Sequence, residues 1–388
     1  MHVKVLKLVG KLFLAGVVLG VALSPMASVK AESTCSNIND PNCLYVWGST
    51  TNYPWVQVSE TRFFPENSGT FYNIDGTHSS GYGQSYLMSG QADIASSSGT
   101  CNDANGGLNG AGAAIHHCAD FTDNVIGRDA VSIMVNNSLT CVTSLTKAQL
   151  QGIYEHTITN WNQLNASCPS HTIDPYARAI GSGTRSSFIK LAALCVDAGD
   201  PDTSNASACI TGGSTENATI AATTVTRKQA SPDMEAAVDG DQYGIGYVGL
   251  AFFDTNIHPL SLDFGSGPVS PSDATVSNGT YPMSRNLHLF TLTSGSKALA
   301  QTYVQWVQSP EGQAAVVDQG FVAIAKAAPD WDVNLDGKAS IADIATIGNF
   351  WGSNNSVPGW IRADVNQDGK ISIADVATVG NFWGKTWS

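Results

Sequence analysis

The sequence predicts an α/β protein whose large first unit forms two lobes and whose small final module is all-α. Short apolar runs at residues 131–135 and 244–249 have the length and composition of buried strands, and helical patterns lie between such runs. About 280 residues are available for this unit, which suffices for two lobes of ordinary domain size. The final module is predicted from a loop-helix pattern that occurs twice in tandem.

The first 31 residues form a predicted secretion signal. Lys4, Lys7 and Lys11 precede an apolar run at residues 12–23, and small residues at 29–31 provide a cleavage site. We therefore expect a secreted chain that is extracellular or associated with the cell surface. Removing the four lysines of this segment changes the net charge from −13 to −17. So acidic a chain is not expected to bind nucleic acid.

Eight cysteines in an exported chain indicate disulfides. A metal site at residues 116–118 is an alternative for one of them, but adjacent ligands rarely converge on one ion. N-glycosylation sequons fit an exposed, glycosylated surface, and they occur at Asn136, Asn165, Asn205, Asn217, Asn278 and Asn354. The simplest of many possible pairings joins neighbours in sequence, namely Cys35–Cys43, Cys101–Cys118, Cys141–Cys168 and Cys195–Cys209.

Helix boundaries in the large unit can be predicted from capping residues. Thr146 and Gln149 form a capping box ahead of apolar residues at helical spacing. A second helical stretch surrounds residues 309–313 near the end of the unit. We assign residues 32–327 to the large unit and residues 328–388 to the final module, with a linker short enough for the two to touch.

Three loops rich in Gly, Ser and Thr adjoin predicted strands, at residues 48–51, 79–83 and 181–184. Such loops expose successive backbone N–H groups, and a helix that begins in one adds positive potential, so together they can enclose a small anion. Arg178, just before the third loop, can supply a fixed charge and a fork of donors. A single loop of this kind is usually a solvated turn. Three of them together with the arginine favour an anion site.

Seven segments across the large unit occur in a recognisable order, at residues 47–51, 90–98, 126–130, 151–154 with 160–161, 178–184, 246–249 and 281–285. In this order they resemble the phosphate ABC-transporter substrate-binding family. The resemblance implies a type II periplasmic-binding-protein fold, in which two α/β lobes are joined by two crossings and bury the anion between them. It also implies an ABC-transporter permease as a candidate partner.

The same resemblance assigns the ligand-binding residues. Carried over to this sequence, they are Ser49, Thr50, Thr51, Ser79, Ser80, Ser98, Arg178, Ser182, Gly183 and Thr184.

One position departs from the family pattern. The best-known phosphate receptors have an Asp where this chain has Ser98, and that Asp accepts the proton of bound phosphate and thereby rejects sulfate. A serine hydroxyl can donate to either anion. Phosphate is therefore the expected ligand, while sulfate, molybdate and other tetrahedral oxyanions stay open.

Four other charged residues have structural interpretations. Arg128 and Asp129 are expected to satisfy polar groups near a lobe crossing rather than to contact the ligand. Asp93 is expected to brace its turn. Arg285 is compatible with either a hinge or the cleft, and the sequence leaves both open.

The final module contains two matching twelve-residue loops. Oxygen-bearing side chains lie at loop positions 1, 3, 5, 9 and 12 with Gly at 6, a pattern that binds calcium, and position 7 contributes a backbone carbonyl. The expected ligands of two Ca²⁺ ions are Asp332, Asn334, Asp336, Lys338, Ser340 and Asp343 in the first loop, and Asp364, Asn366, Asp368, Lys370, Ser372 and Asp375 in the second.

Nearly the same helix follows each loop, at residues 344–352 and 376–384, and this tandem repeat resembles a dockerin. Asp at position 12 fits the dockerin variant better than a standard EF-hand, which has Glu there. The resemblance implies anchoring to a cohesin-like module on a scaffold or cell surface. So small a module needs metal to fold, which makes calcium binding the firmer expectation. The alternative to anchoring is a calcium-stabilised structural repeat without a partner.

The combined interpretation is a secreted, non-catalytic solute-binding protein that is anchored through its final module. Ser182 lies in Gly-Ser-Gly, whereas a nucleophile elbow requires Gly-x-Ser-x-Gly. A dockerin-borne hydrolase would need two carboxylates about 5 to 9.5 Å apart, and no such pair is recognisable. The main alternative is a structural or adhesive cell-surface protein that has kept the fold without ligand transport.

Overall fold

A computed structural model of the chain describes residues 35–65, 67, 69–103, 115–194, 226–252, 256–354 and 361–387. The predicted secretion signal, the Cys195–Cys209 pair and the sequons at Asn205 and Asn217 lie outside these residues. Among the residues described, no helix is long and apolar enough to cross a membrane.

The described strands of the large unit are β1 (Cys43–Gly48), β2 (Phe71–Asp75), β3 (Ile94–Ser97), β4 (Phe121–Asn136), β5 (Ser144–Thr146), β6 (Asp174–Arg178), β7 (Thr226–Lys228), β8 (Gly244–Gly249), β9 (Ile257–Pro259), β10 (Ser261–Asp263) and β11 (Ser284–Leu292). Its helices are α1 (Tyr53–Arg62), α2 (Ser80–Met88), α3 (Lys147–Tyr154), α4 (Gly183–Ala192), α5 (Ser231–Asp239), α6 (Asp273–Ser277), α7 (Ala298–Gln308) and α8 (Pro310–Asp318). The final module contributes α9 (Ile341–Asn349) and α10 (Ile373–Gly380).

One long strand joins the two lobes. The main sheet has the order β2-β1-β3-β11-β4-β8-β6-β7, with β9 also paired to β4. Nine of the first ten residues of β4 pair with β11, with a bulge at Ile126, and its last six pair with β8 and β9. β1 is parallel to β2 and β3, and β6 is parallel to β7 and β8, as expected of strands connected by helices. The chain thus crosses between lobes along β4 and returns at the start of β11.

Each lobe has its own apolar core. The core of the first lobe, which carries α1, α2, α7 and α8, includes Leu44, Val46, Trp55, Ile94, Tyr303 and Phe321. The core of the second lobe, which carries α3 to α6, includes Ile133, Tyr154, Trp161, Phe188, Tyr247 and Leu262. The predicted two-lobed α/β fold is confirmed.

The predicted caps and disulfides are present where the structure describes them. Thr146 and Gln149 form the capping box of α3, and Ser309 caps α8. Disulfides join Cys35 to Cys43, Cys101 to Cys118 and Cys141 to Cys168.

Asp93 was expected to cap or brace its turn, and its carboxylate instead bonds to residues that are distant in sequence. Its carboxylate accepts hydrogen bonds from the backbone N–H of Tyr45 and from Lys297 Nζ, both at 2.9 Å. Burial raises the pKa of the Asp93 carboxyl, and these two hydrogen bonds oppose the rise. The contacts tie the end of α2 to β1 and to the loop before α7.

A buried ion pair lies where the two crossing strands meet. Arg285 Nη2 lies 2.6 Å from Asp129 Oδ2, and the two side chains are 5% and 0% exposed. The other oxygen of Asp129 accepts the backbone N–H of Leu250 at 2.7 Å. Arg128, in contrast, is exposed and donates to the carbonyl of Ser277. Asp129 and Arg128 therefore satisfy polar groups at the crossing, as predicted.

The two repeats of the final module exchange hydrogen bonds. The N–H of Gly352, just past α9, donates to the carbonyl of Ile371 in the second loop at 3.0 Å. The N–H of Gly384, just past α10, donates to the carbonyl of Ala339 in the first loop at 2.9 Å. Side chains from both repeats share one small core, which contains Val333, Ala339, Ile347, Val365, Ile371 and Val379.

We predict that Asp129→Ala lowers the free energy of unfolding of the large unit by about 3 kcal/mol or more, because it leaves the Arg285 guanidinium buried without its partner. Urea denaturation of the full chain measures the effect. Arg128→Ala, one residue away but exposed, is the control and should change stability by less than about 0.5 kcal/mol. Equal effects of the two substitutions would contradict a structural role for the pair.

Candidate anion site and calcium loops

The N-termini of three helices point into the space between the lobes. Ser79 caps α2 and Ser182 caps α4, each accepting a backbone N–H at 3.3 Å. In the first loop, Ser49 Oγ accepts the backbone N–H of Thr51 and of Asn52, which precedes α1. Because helix N-termini carry partial positive charge, this arrangement favours an anion.

The predicted loops of the two lobes touch directly. Thr51 Oγ1 lies 3.1 Å from Thr184 Oγ1. The N–H of Gly81 donates to the carbonyl of Gly181 at 2.8 Å. The predicted side chains in these loops are at most 8% exposed. The structure thus gathers the loops that carry Ser49, Thr50, Thr51, Ser79, Ser80, Ser98, Ser182, Gly183 and Thr184 around a single buried region.

Gly183 is required by this close approach. A β-carbon added there would lie 2.5 Å from Ser80 Oγ, 2.7 Å from the backbone nitrogen of Gly99 and 2.9 Å from the carbonyl carbon of Ser98. Two of these three atoms belong to the backbone and cannot rotate away. At Gly183, the first turn of α4 therefore contacts the first lobe through backbone atoms, with no room for a side chain.

Arg178, at the end of β6, is the buried positive charge of the site. Its guanidinium donates to Thr50 Oγ1 and Ser231 Oγ, both at 2.9 Å, and to the carbonyls of Lys228 and Gln229. All four partners are neutral. Among the residues described, no carboxylate lies within hydrogen-bond distance of this guanidinium. Burial lowers the pKa of Arg178 to about 10, so the group stays charged at neutral pH.

Ser231 belongs to the same cluster but was missed in the sequence. It is fully buried at the start of α5, where its hydroxyl lies 3.4 Å from Thr51 Oγ1 as well as close to Arg178. The available signal was a Ser followed by Pro232 at a helix start. Helix starts of this type are common, so the pattern alone did not single it out.

Ser98 lies among donors rather than beside a carboxylate. Its N–H donates to Ser80 Oγ at 3.1 Å, and the two hydroxyls are 3.4 Å apart. Its carbonyl accepts from Arg285 Nη1 at 3.0 Å and from Ser187 Oγ at 3.2 Å. Arg285 therefore connects the crossing, through Asp129, to the edge of the site. Both interpretations that the sequence left open for Arg285 have a structural basis.

The first calcium loop has the geometry of an oxygen cage. Carboxylate oxygens of Asp332, Asp336 and Asp343 lie within 4.8 Å of one another. Asp332 also accepts the N–H groups of Asp336 and Gly337 at 3.1 and 2.9 Å, and Gly337 has the positive φ of 87° that this turn needs. Among the described residues, a group of three carboxylates this close occurs in the first loop alone.

The second loop has the same internal hydrogen bonds. Asp364 accepts the N–H groups of Asp368 and Gly369, both at 3.0 Å. Asp375 accepts those of Asn366 and Ser372, at 3.2 and 2.8 Å.

The remaining predicted ligands occupy matching places in the two loops. The hydroxyls of Ser340 and Ser372 cap α9 and α10, and the N–H groups of Lys338 and Lys370 donate to the position 5 carboxylates. Asn334 and Asn366 donate to the same carboxylates through their side-chain amides. Both loops therefore present carboxylate, amide, hydroxyl and backbone oxygens, the hard ligands that calcium prefers.

Comparison with family models gives two matches. A model described as a PBP superfamily domain matches residues 39–311. A second model, described as a dockerin type I domain, matches residues 331–382. The two segments are those in which the sequence analysis found its resemblances.

Individual relatives agree with the larger match. The chain is 28% identical over 273 residues to protein SphX of Synechocystis, a span of 66% of this chain and 71% of the relative. It is 26% identical over 287 residues to the phosphate-binding protein PstS of Staphylococcus saprophyticus, a span of 72% of this chain and 79% of the relative. The latter relative is named for binding rather than for a reaction, in agreement with the prediction of a non-enzymatic protein.

A solved structure shares the fold. An ABC-type phosphate transport receptor from Vibrio cholerae matches with a TM-score of 0.53 at 21% identity, over 72% of this chain and 99% of the receptor.

Proposed function

We propose that this chain, which belongs to the PBP superfamily, binds phosphate or a related tetrahedral oxyanion between its two lobes. Its dockerin type I module would bind two Ca²⁺ ions and anchor the protein to a cohesin-like module on a scaffold or cell surface. Residues 32–327 form the binding unit in this proposal, and residues 328–388 form the anchor. The protein acts outside the cell, and an ABC-transporter permease is its candidate partner in uptake.

The observation that carries the anion proposal is the environment of Arg178. Its buried guanidinium donates to neutral hydroxyls and carbonyls, and among the described residues no carboxylate pairs with it directly, although Asp233 contributes a favourable charge from further away. Helix N-termini of α2 and α4 add partial positive charge at the same place. A small anion between the lobes supplies the missing charge, and it also accepts hydrogen bonds from the surrounding donors.

The donor set also bears on which oxyanion is bound. Ser98 stands where an acidic side chain would reject an anion that carries no proton, and its neighbour Ser80 is a hydroxyl too. Hydroxyls can donate to phosphate and sulfate alike, because they hold one proton and two lone pairs. We therefore infer that this site selects for a tetrahedral, doubly charged anion and discriminates weakly between phosphate and sulfate.

We predict that Arg178→Ala weakens phosphate binding by at least about 1.5 to 3 kcal/mol, because a charge-assisted hydrogen bond is lost. Isothermal titration of the anion-stripped protein with phosphate measures the change. Arg128→Ala, an exposed arginine at the crossing, is the control and should bind as the wild type does. Unchanged affinity in Arg178→Ala would mean that Arg178 is not part of the anion site. If the wild type gives no heat of binding, the structural or adhesive alternative is favoured.

We predict that wild-type dissociation constants for phosphate and sulfate differ by less than about tenfold, and that Ser98→Asp weakens sulfate binding at least about a hundredfold. Sulfate carries no proton for the added carboxylate to accept, so the two negative groups would repel each other. Ser98→Asn, which has the same shape without the charge, is the matched control. Strong rejection of sulfate by the wild type would instead reveal a proton acceptor other than the residue at 98.

We predict that the chelator-treated protein binds two Ca²⁺ ions in isothermal titration and that Asp368→Ala, which removes one loop ligand, lowers the stoichiometry to one. In scanning calorimetry, chelation should abolish the transition of the small module and leave that of the large unit, since so small a core needs its metals. Two intact transitions in the presence of chelator would contradict the proposed role of calcium.

A further inference from the structure

The two calcium loops differ at loop position 4, although their surroundings are nearly identical. Leu335 occupies this position in the first loop and Gln367 in the second, and both have left-handed backbone conformations, with φ of 62° and 57°. Leu335 is 36% exposed, whereas the side-chain amide of Gln367 reaches the large unit.

Gln367 binds a buried ion pair of the first lobe. Its Nε2 donates to Asp318 Oδ1 at 2.9 Å, at the last residue of α8, and to Asp330 Oδ2 in the linker at 3.3 Å. The other oxygen of Asp318 lies 2.6 Å from Arg62 Nη2, at the last residue of α1, and the two side chains are only 6% and 3% exposed. The Gln367 amide thus donates a hydrogen bond to the Asp318 carboxylate, which has little access to water.

The segment before the second loop is attached at the same place. Arg362 donates to the carbonyls of Pro329 and Asp332, at 2.8 and 2.9 Å. The linker in turn is held on α8, because the N–H of Ala328 donates to the carbonyl of Pro310 at 2.8 Å. The second repeat therefore contributes polar contacts to the first lobe, to Pro329 and to Asp332, the first residue of the first loop. Nothing comparable joins the first loop to the lobe among the residues described.

The position of Gln367 depends on the fold of its loop. Asp364 accepts the N–H groups of residues 368 and 369, so the turn that presents Gln367 is closed around a predicted calcium ligand. We expect that, without calcium, the like charges of Asp364, Asp368 and Asp375 repel one another and relax this loop. A relaxed loop no longer aims the Gln367 amide at Asp318.

We propose that the second calcium loop is a latch that fixes the module on the first lobe through Gln367, so that calcium in this loop sets the orientation of anchor and binding unit. The proposal rests on the calcium binding proposed above. It assigns the two repeats different tasks: the second loop holds the lobe, and the first loop takes no part in that contact.

The two residues at position 4 provide a matched test. Gln367→Leu gives the second loop the residue of the first, and Leu335→Gln makes the reverse change. Small-angle X-ray scattering of the full chain, with excess Ca²⁺ or with chelator, measures the maximum dimension. We expect the wild type and Leu335→Gln to be equally compact in calcium and Gln367→Leu in calcium to have a larger maximum dimension. The wild type in chelator should be the most extended, because chelation also unfolds the module.

Calcium titration separates the latch from the underlying calcium site. Gln367→Leu should still bind two ions, but with an affinity at the second loop lower by at least about tenfold, because docking no longer assists binding. Leu335→Gln should leave both affinities unchanged. Two bound ions with identical scattering for the wild type and Gln367→Leu would overturn the latch while leaving the proposed calcium sites intact. A wild type that binds no calcium would overturn both.

Discussion

The buried charge of Arg178 is the constraint around which the large unit is arranged. Its guanidinium lies at the end of β6 and contacts Thr50 of the opposite lobe, so one side chain spans the interface. The surrounding partners are neutral, and the nearby helices α2 and α4 direct their N-termini to the same region. Among the described residues no carboxylate pairs directly with this guanidinium, so an anion that enters the region would stabilise it. In the proposed function, the bound anion supplies this negative charge and joins the two lobes at the same place.

The crossing strands hold the buried charged residues near the site in a defined geometry. Asp129 and Arg285 lie opposite each other on β4 and β11, at the point where both strands pass between lobes. Arg285 also holds the carbonyl of Ser98, so the hinge and the rim of the site share one guanidinium. The crossing, with its buried ion pair, is the place about which a hinge motion of the lobes would turn.

Sequence alone predicted the parts of this architecture that depend on local patterns. The glycine and serine loops, the capping box at Thr146 and the repeated twelve-residue loops could be predicted, because backbone geometry requires those residue types close together in the chain. Ser231 and the Asp129–Arg285 pair were not assigned, since their roles arise from contacts between residues 53 and 156 positions apart. Gln367 illustrates the same limit. Its loop position was clear, but its partner on α8 depends on how two separately folded parts pack.

The exchange of hydrogen bonds between the repeats has a consequence for how such a module can arise and be lost. Each loop is completed by the segment that follows the other repeat's helix, at Gly352 and Gly384. A single repeat would leave its own loop uncompleted and expose an unpaired edge that only a second copy could fill. The two repeats therefore form one folding unit, because neither repeat alone supplies both partners of these hydrogen bonds.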